Sequence, residues 1–112
     1  MSGLQVDTTW ADDHCAIALV GEARLETIEM FDELEREIEA RGLTAVLVDL
    51  GGVQFMDSAS TGSLLRLHAR MEERGGKLVM HSLPRMIQRL FERLGLRQLH
   101  LAPDAAAAHD RL

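Results

Sequence analysis

The sequence predicts an α/β fold, a single domain over residues 1–112 in which a mixed β-sheet of four to five strands packs against about four helices. Three observations carry that expectation. Ala45-Val46-Leu47-Val48-Asp49-Leu50 is a short, nearly continuous apolar run of the kind buried on both faces of a sheet. Three other stretches repeat apolar residues at helical spacing, so each has one face to bury. These stretches alternate with strand-like runs, the order expected of parallel strands joined by helical crossovers. With 112 residues, 46% of them hydrophobic, the chain has material for one core and no second domain.

Leu4–Trp10 alternates loosely and is rich in β-formers, and Cys15–Val20 can pair with it across a turn at Ala11-Asp12-Asp13-His14. Between Thr27 and Ala40, Ile28, Phe31, Leu34 and Ile38 share a helical stripe, while Glu29, Asp32, Glu33, Arg36 and Glu37 fall off it and are read as a solvated face. Gly42 stands where a helix C-terminal cap is expected. After the strand at 45–50, Gly51-Gly52 suits a turn or bulge with unusual φ, and Val53–Met56 leads into Asp57-Ser58. A second helix is expected from about Ser58 to Arg74, on a stripe of Leu64, Leu67 and Met71, closing at Gly75-Gly76. Lys77–His81 reads as a parallel strand, and Pro84 opens a third helix with Ile87, Leu90, Phe91 and Leu94 inward and Gly95 as its stop. Gln98–Leu101 suits an edge strand, and Asp104 a cap for an alanine-rich helix to Arg111.

The net charge of −6 and pI of about 5.3 repel a phosphate backbone or an anionic membrane surface, so nucleic acid is not an expected partner. No apolar stretch reaches the roughly 18 residues that span a bilayer, and the N-terminus lacks a basic region followed by an apolar one. The expectation is a cytoplasmic protein without membrane insertion. Cys15 is the one cysteine, so no internal disulfide forms, and its place in an apolar run suits a small buried side chain. His14, His68, His81, His100 and His109 show no metal-ligand spacing, and His68 is read as a histidine at the edge of the packed stripe. The serine-hydrolase elbow and the phosphate-cradling glycine pattern are both absent, so neither catalysis nor a cofactor of the chain's own is expected.

The most informative stretch is Met56-Asp57-Ser58-Ala59-Ser60-Thr61-Gly62-Ser63-Leu64, where an apolar run meets the start of a helix. Asp and Ser are leading capping residues, and a helix cap alone accounts for the pair. The same position, beside unpaired N–H groups, also favours an added anion. Phosphorylation would give Ser58 about −1.5 to −2 charges without disrupting the fold.

At this point the chain resembles the STAS domains of the anti-sigma factor antagonist group, whose characteristic stretch runs strand, Asp-Ser-Ser-Gly-Leu-Gly, helix. Gly21-Glu22 after an apolar strand, Val46–Leu50, Gly75–Val79 and Pro84…Leu90-Phe91…Leu94-Gly95-Leu96 fall in the family's order, so the likeness covers about residues 4 to 104. It implies helices predominantly on one side of the sheet. It also implies a binding module that sequesters an anti-sigma factor, itself a serine kinase that holds the ATP, and that is switched off by phosphorylation at Ser58 and restored by a phosphatase. By motif position Asp57 and Gly62 support the phosphosite. The implied partner surface comprises Glu22, Arg24, Phe55, Met56, Ala59, Ser60, Thr61, Ser63 and Arg66, with Phe55 and Met56 exposed.

Four positions depart from the pattern. Ala59 replaces a second serine, Ser60 a glycine and Thr61 an apolar residue, which makes Ser60 and Thr61 alternative acceptors. Arg24 stands where an acidic residue is common. The alternative implied by the same family is a constitutive scaffold that docks on a partner ATPase, as in a lipid-transport complex, with no phosphate chemistry.

Overall fold

In the computed structural model, which describes residues 3–112, β1 (Leu4–Trp10) pairs antiparallel with β2 (Cys15–Ala23). Strands β2, β3 (Ala45–Met56), β4 (Lys77–His81) and β5 (His100–Ala102) then run parallel in that spatial order. The opening hairpin closes with Trp10 opposite Cys15 and a 2.9 Å bond from the Ala11 N–H to the His14 carbonyl. A 3-10 turn at Leu25–Thr27 leads into α1 (Ile28–Ala40), and α2 (Ser58–Glu73), α3 (Arg85–Arg93) and α4 (Ala105–Asp110) follow. The predicted mixed sheet therefore forms with five strands and four α-helices.

Alternation along the strands divides the core between two faces. Val46, Val48 and Leu50 of β3 join Phe31, Leu34 and Ile38 of α1, Leu64, Leu67 and Met71 of α2, and Ile87 and Phe91 of α3 in one large cluster. Leu47, Val79 and Ala102 face the other way and meet Ala108 of α4. Three helices thus cover one side and α4 covers the other. Cys15 is fully buried, and desolvation pushes its thiol up to about 11 against the opposing charge of Arg41, which leaves it unreactive near neutral pH. At the far edge of the sheet, the Arg41 guanidinium lies 4.0 Å over the Trp10 ring.

Of the two expectations for Gly51-Gly52, the bulge forms and the turn does not, and the φ is ordinary. Strand β3 runs straight through the pair, and neither glycine adopts a positive φ. The register against β2 slips twice, between Ala18–Val20 and Gly21–Glu22, each time with an extra residue on β3. Gly52 is required by proximity: a Cβ there would come 2.8 Å from Val20 Cγ2 and 3.1 Å from the Leu19 carbonyl oxygen. Strand β4 stops opposite Asp49, so the rest of β3 pairs with β2 alone and carries Met56 beyond the body of the sheet. Smaller differences lie further on. Pro84 caps α3 rather than occupying its first turn, Leu94 follows the last helical residue and is exposed, and β5 begins two residues later than the predicted edge strand.

Candidate functional site

Asp57 joins the end of β3 to α2 and ties both to a distant segment. Its N–H donates to the Ala23 carbonyl at 3.0 Å, and its backbone is extended, with φ −85° and ψ 175°, as a helix cap requires. One carboxylate oxygen accepts from the Ser60 N–H at 2.8 Å, and the other accepts from the Leu25 N–H, also at 2.8 Å. The Asp57 carbonyl takes the Thr61 N–H at 3.0 Å and the Thr61 hydroxyl at 2.9 Å. Burial raises the carboxyl's pKa and is the largest single influence. Hydrogen bonds from Ser60 and Leu25 and the charge of Arg24 outweigh it, holding the group below the usual carboxylate range.

The next residues divide sharply by direction. Ser58 is exposed at the first position of α2, ahead of the intrahelical bonding ladder, and Gly62 is exposed one turn on. Ser60, Thr61 and Ser63 are buried at 0%, 1% and 4% exposure, which removes them from the partner surface and from reach as acceptors. The Ser63 hydroxyl donates back to the Ala59 carbonyl at 3.3 Å, a local bond within the helix. The Ser60 hydroxyl helps lower the Asp57 pKa yet lacks a hydrogen-bond partner of ordinary geometry. A signal for this inward set was present: the Leu64-Leu67-Met71 stripe, stepped back by three and four places, lands on Thr61 and Ser60.

Met56, expected on the partner surface, is 5% exposed and packs in the main core, because the extra β3 residue between Val53 and Phe55 interrupts the alternation and returns Met56 to the same side as Val53. Phe55 is half-buried and roofed by the Arg24 guanidinium, 4.3 Å from the ring centroid. Arg24 in turn is held by Glu22, with Nε 3.0 Å and Nη2 2.5 Å from the same carboxylate oxygen. Glu22, Arg24 and Phe55 therefore form one stacked patch that adjoins Asp57. Ala59 is half-buried. Arg66 is exposed but leans toward α1, 3.9 Å from Asp32, rather than joining this patch. No atom outside the helix lies within 4 Å of a Cβ built on Gly62, so its smallness leaves open space above the first turns.

His68 lies deeper than its place at the stripe edge suggested. It is 7% exposed with an unpartnered Nδ1, and desolvation lowers its pKa, with Glu72 opposing and His100 adding to the shift. Among the described residues, no group of three or more His, Cys, Asp or Glu side chains is arranged to hold a metal, and no helix is long and apolar enough to cross a membrane.

The chain belongs to the STAS domain family: a family model described as Mlab, STAS domain, matches residues 6–103. Among solved structures it is similar to the anti-sigma factor antagonist SpoIIAA in its unphosphorylated form, with 20% identity, 97% of this chain and 95% of that one covered, and a TM-score of 0.81. The Bacillus cell fate determinant SpoIIAA in its phosphorylated form matches with a TM-score of 0.75 at 20% identity, covering 97% of this chain and 98% of that one. An anti-sigma factor antagonist from Mycobacterium paratuberculosis matches with a TM-score of 0.85 at 17% identity, covering 97% and 93%. At these identities the likeness is one of fold.

Proposed function

We propose that this chain is an anti-sigma factor antagonist, a non-catalytic binding module that sequesters an anti-sigma factor with serine kinase activity and releases it when Ser58 is phosphorylated. One observation carries the reading: of the four hydroxyl-bearing residues from Ser58 to Ser63, Ser58 alone is exposed. It stands at the N-terminus of a 16-residue helix, whose dipole and free N–H groups offset part of an added negative charge. The domain then keeps its fold while its surface changes. A partner covering Ser58 and the Glu22-Arg24-Phe55 patch packs against a neutral hydroxyl before modification. Afterwards it must desolvate about two negative charges beside Asp57, a cost of several kcal/mol. Each 1.4 kcal/mol is roughly tenfold in affinity, so two such losses release a micromolar partner. ATP belongs to the partner, and a phosphatase acting on phospho-Ser58 restores binding.

The test is to incubate the protein with a serine kinase encoded beside it and ATP, then map the modification by mass spectrometry. A single phosphate on Ser58, lost in Ser58→Ala, supports the reading. Modification that survives Ser58→Ala, or none at all, rejects it.

A constitutive scaffold on a partner ATPase is the second reading, favoured by the Mlab description of the matching family model. There the same patch docks without phosphate chemistry. A complex with a transporter ATPase that is indifferent to Ser58→Asp selects it over the first.

A further inference from the structure

A crevice of about 630 Å³ opens between α3, the loop after β4 and the loop after β5. That size lies within the range of small-molecule sites, and the crevice lies beyond the carboxyl ends of β4 and β5. Its lining is mixed, with apolar and polar surface in nearly equal shares. Phe91 and Ala102 are buried within it, and Leu83, Leu96 and Leu101 contribute partly exposed side chains.

The polar groups narrow the ligand. Ser82, at the mouth of the crevice, has a φ of +59°, an uncommon conformation for any residue but glycine, and strain of this kind concentrates at ligand sites. Its hydroxyl is held at 2.8 Å by the Nδ1 of buried His81. The Gln88 amide is engaged too, donating to the Leu83 carbonyl at 2.9 Å. Arg97 differs: it lines the crevice, is exposed, and makes no ion pair among the described residues. The surrounding segment is locally basic. Residues 85–97 carry Arg85, Arg89, Arg93 and Arg97 against Glu92 alone, four positive charges and one negative, in a chain whose net charge is −6. Of these four arginines Arg97 alone lines the crevice, and an unpaired guanidinium beside the apolar part of the lining suits the head of an amphipathic anion. Glu92, also on the lining, disfavours a second negative charge on the ligand.

We propose that this crevice is a binding site for a small amphipathic carboxylate, with an alkyl or aryl body on Phe91, Leu96 and Leu101 and its carboxylate on Arg97. Its lining shares no residue with Ser58 or with the Glu22-Arg24-Phe55 patch. Its test uses sodium decanoate and, as the uncharged counterpart, 1-decanol, each titrated into the full chain with amide chemical shifts followed by NMR. Saturable one-to-one binding of decanoate is expected, with the shifts concentrated at 82–83, 91–97 and 101–103. Arg97→Gln should weaken decanoate about five- to tenfold and leave decanol unchanged, as expected for loss of one partly exposed charge-assisted bond. Arg97→Lys should retain most of the affinity, and Arg36→Gln on α1 should change nothing. Non-saturating shifts, equal loss of both ligands in Arg97→Gln, or shifts centred instead on the smaller cleft around Val6, Trp10 and Met30 would overturn the assignment.

Discussion

Ser58 and Ser60 stand two residues apart in one helical turn and carry the same functional group, yet they belong to different parts of the molecule. Ser58 faces solvent at the helix start, whereas Ser60, with Thr61 and Ser63, is packed beneath the helix against the sheet. Around α2 this alternation follows from 100° per residue and a core on one side. Three hydroxyls in the string are thus buried and one is exposed, and chemical identity alone does not distinguish them.

Substitutions should divide along the same line. Thr61→Glu places a carboxylate at a position 1% exposed and removes the bond to the Asp57 carbonyl, so it should cost at least about 3 kcal/mol or unfold the domain in urea denaturation. Asp57→Ala removes a helix cap and the link to Leu25, at a cost of about 1–2 kcal/mol. Asp104→Ala, which loses only a local cap on Ala107 in α4, should cost about 0.5–1 kcal/mol by the same measurement. Equal losses at the two caps would remove the special standing of the α2 junction. Gly62→Ala meets open space on the outward side and should raise stability by roughly 0.5–1 kcal/mol. Ser58→Glu, the outward counterpart of Thr61→Glu, should stay within about 0.5 kcal/mol of the parent.

Acid provides one more measure of the junction. The folded-state pKa of Asp57 lies below its unfolded value, so its contribution is present above about pH 4 and is lost as the pH falls through the folded value. The urea midpoint should therefore drop with pH in that window, and less steeply in Asp57→Asn.

Much of the architecture was legible because it rests on periodicity. The Phe31-Leu34-Ile38 and Leu64-Leu67-Met71 stripes and the 45–50 run all lie in the core as their spacing requires. The misreadings came where polarity was taken for exposure. Ser60 and Thr61 continue the buried stripe although their side chains are polar, and His68 follows them inward. Met56 looked available because it precedes the junction, but strand alternation, set by the shifted register after Gly52, decides its direction. Gly51-Gly52 is equally ambiguous in sequence, since close approach of a neighbouring strand and a turn both select glycine. Contacts between distant segments left no local trace at all. The Leu25 bond to Asp57 spans 32 positions, and the stacking of Arg24 on Phe55 depends on β2 and β3 lying side by side.

The stacked pair at the sheet's far edge has an optical consequence. Trp10 is the chain's sole tryptophan and there is no tyrosine, so intrinsic emission excited at the red edge comes from one indole beneath the Arg41 guanidinium. That indole reports the separation of the hairpin from the end of α1. Docking at the opposite end of the sheet leaves it undisturbed, so unfolding can be followed by fluorescence in mixtures where an added protein is itself free of tryptophan.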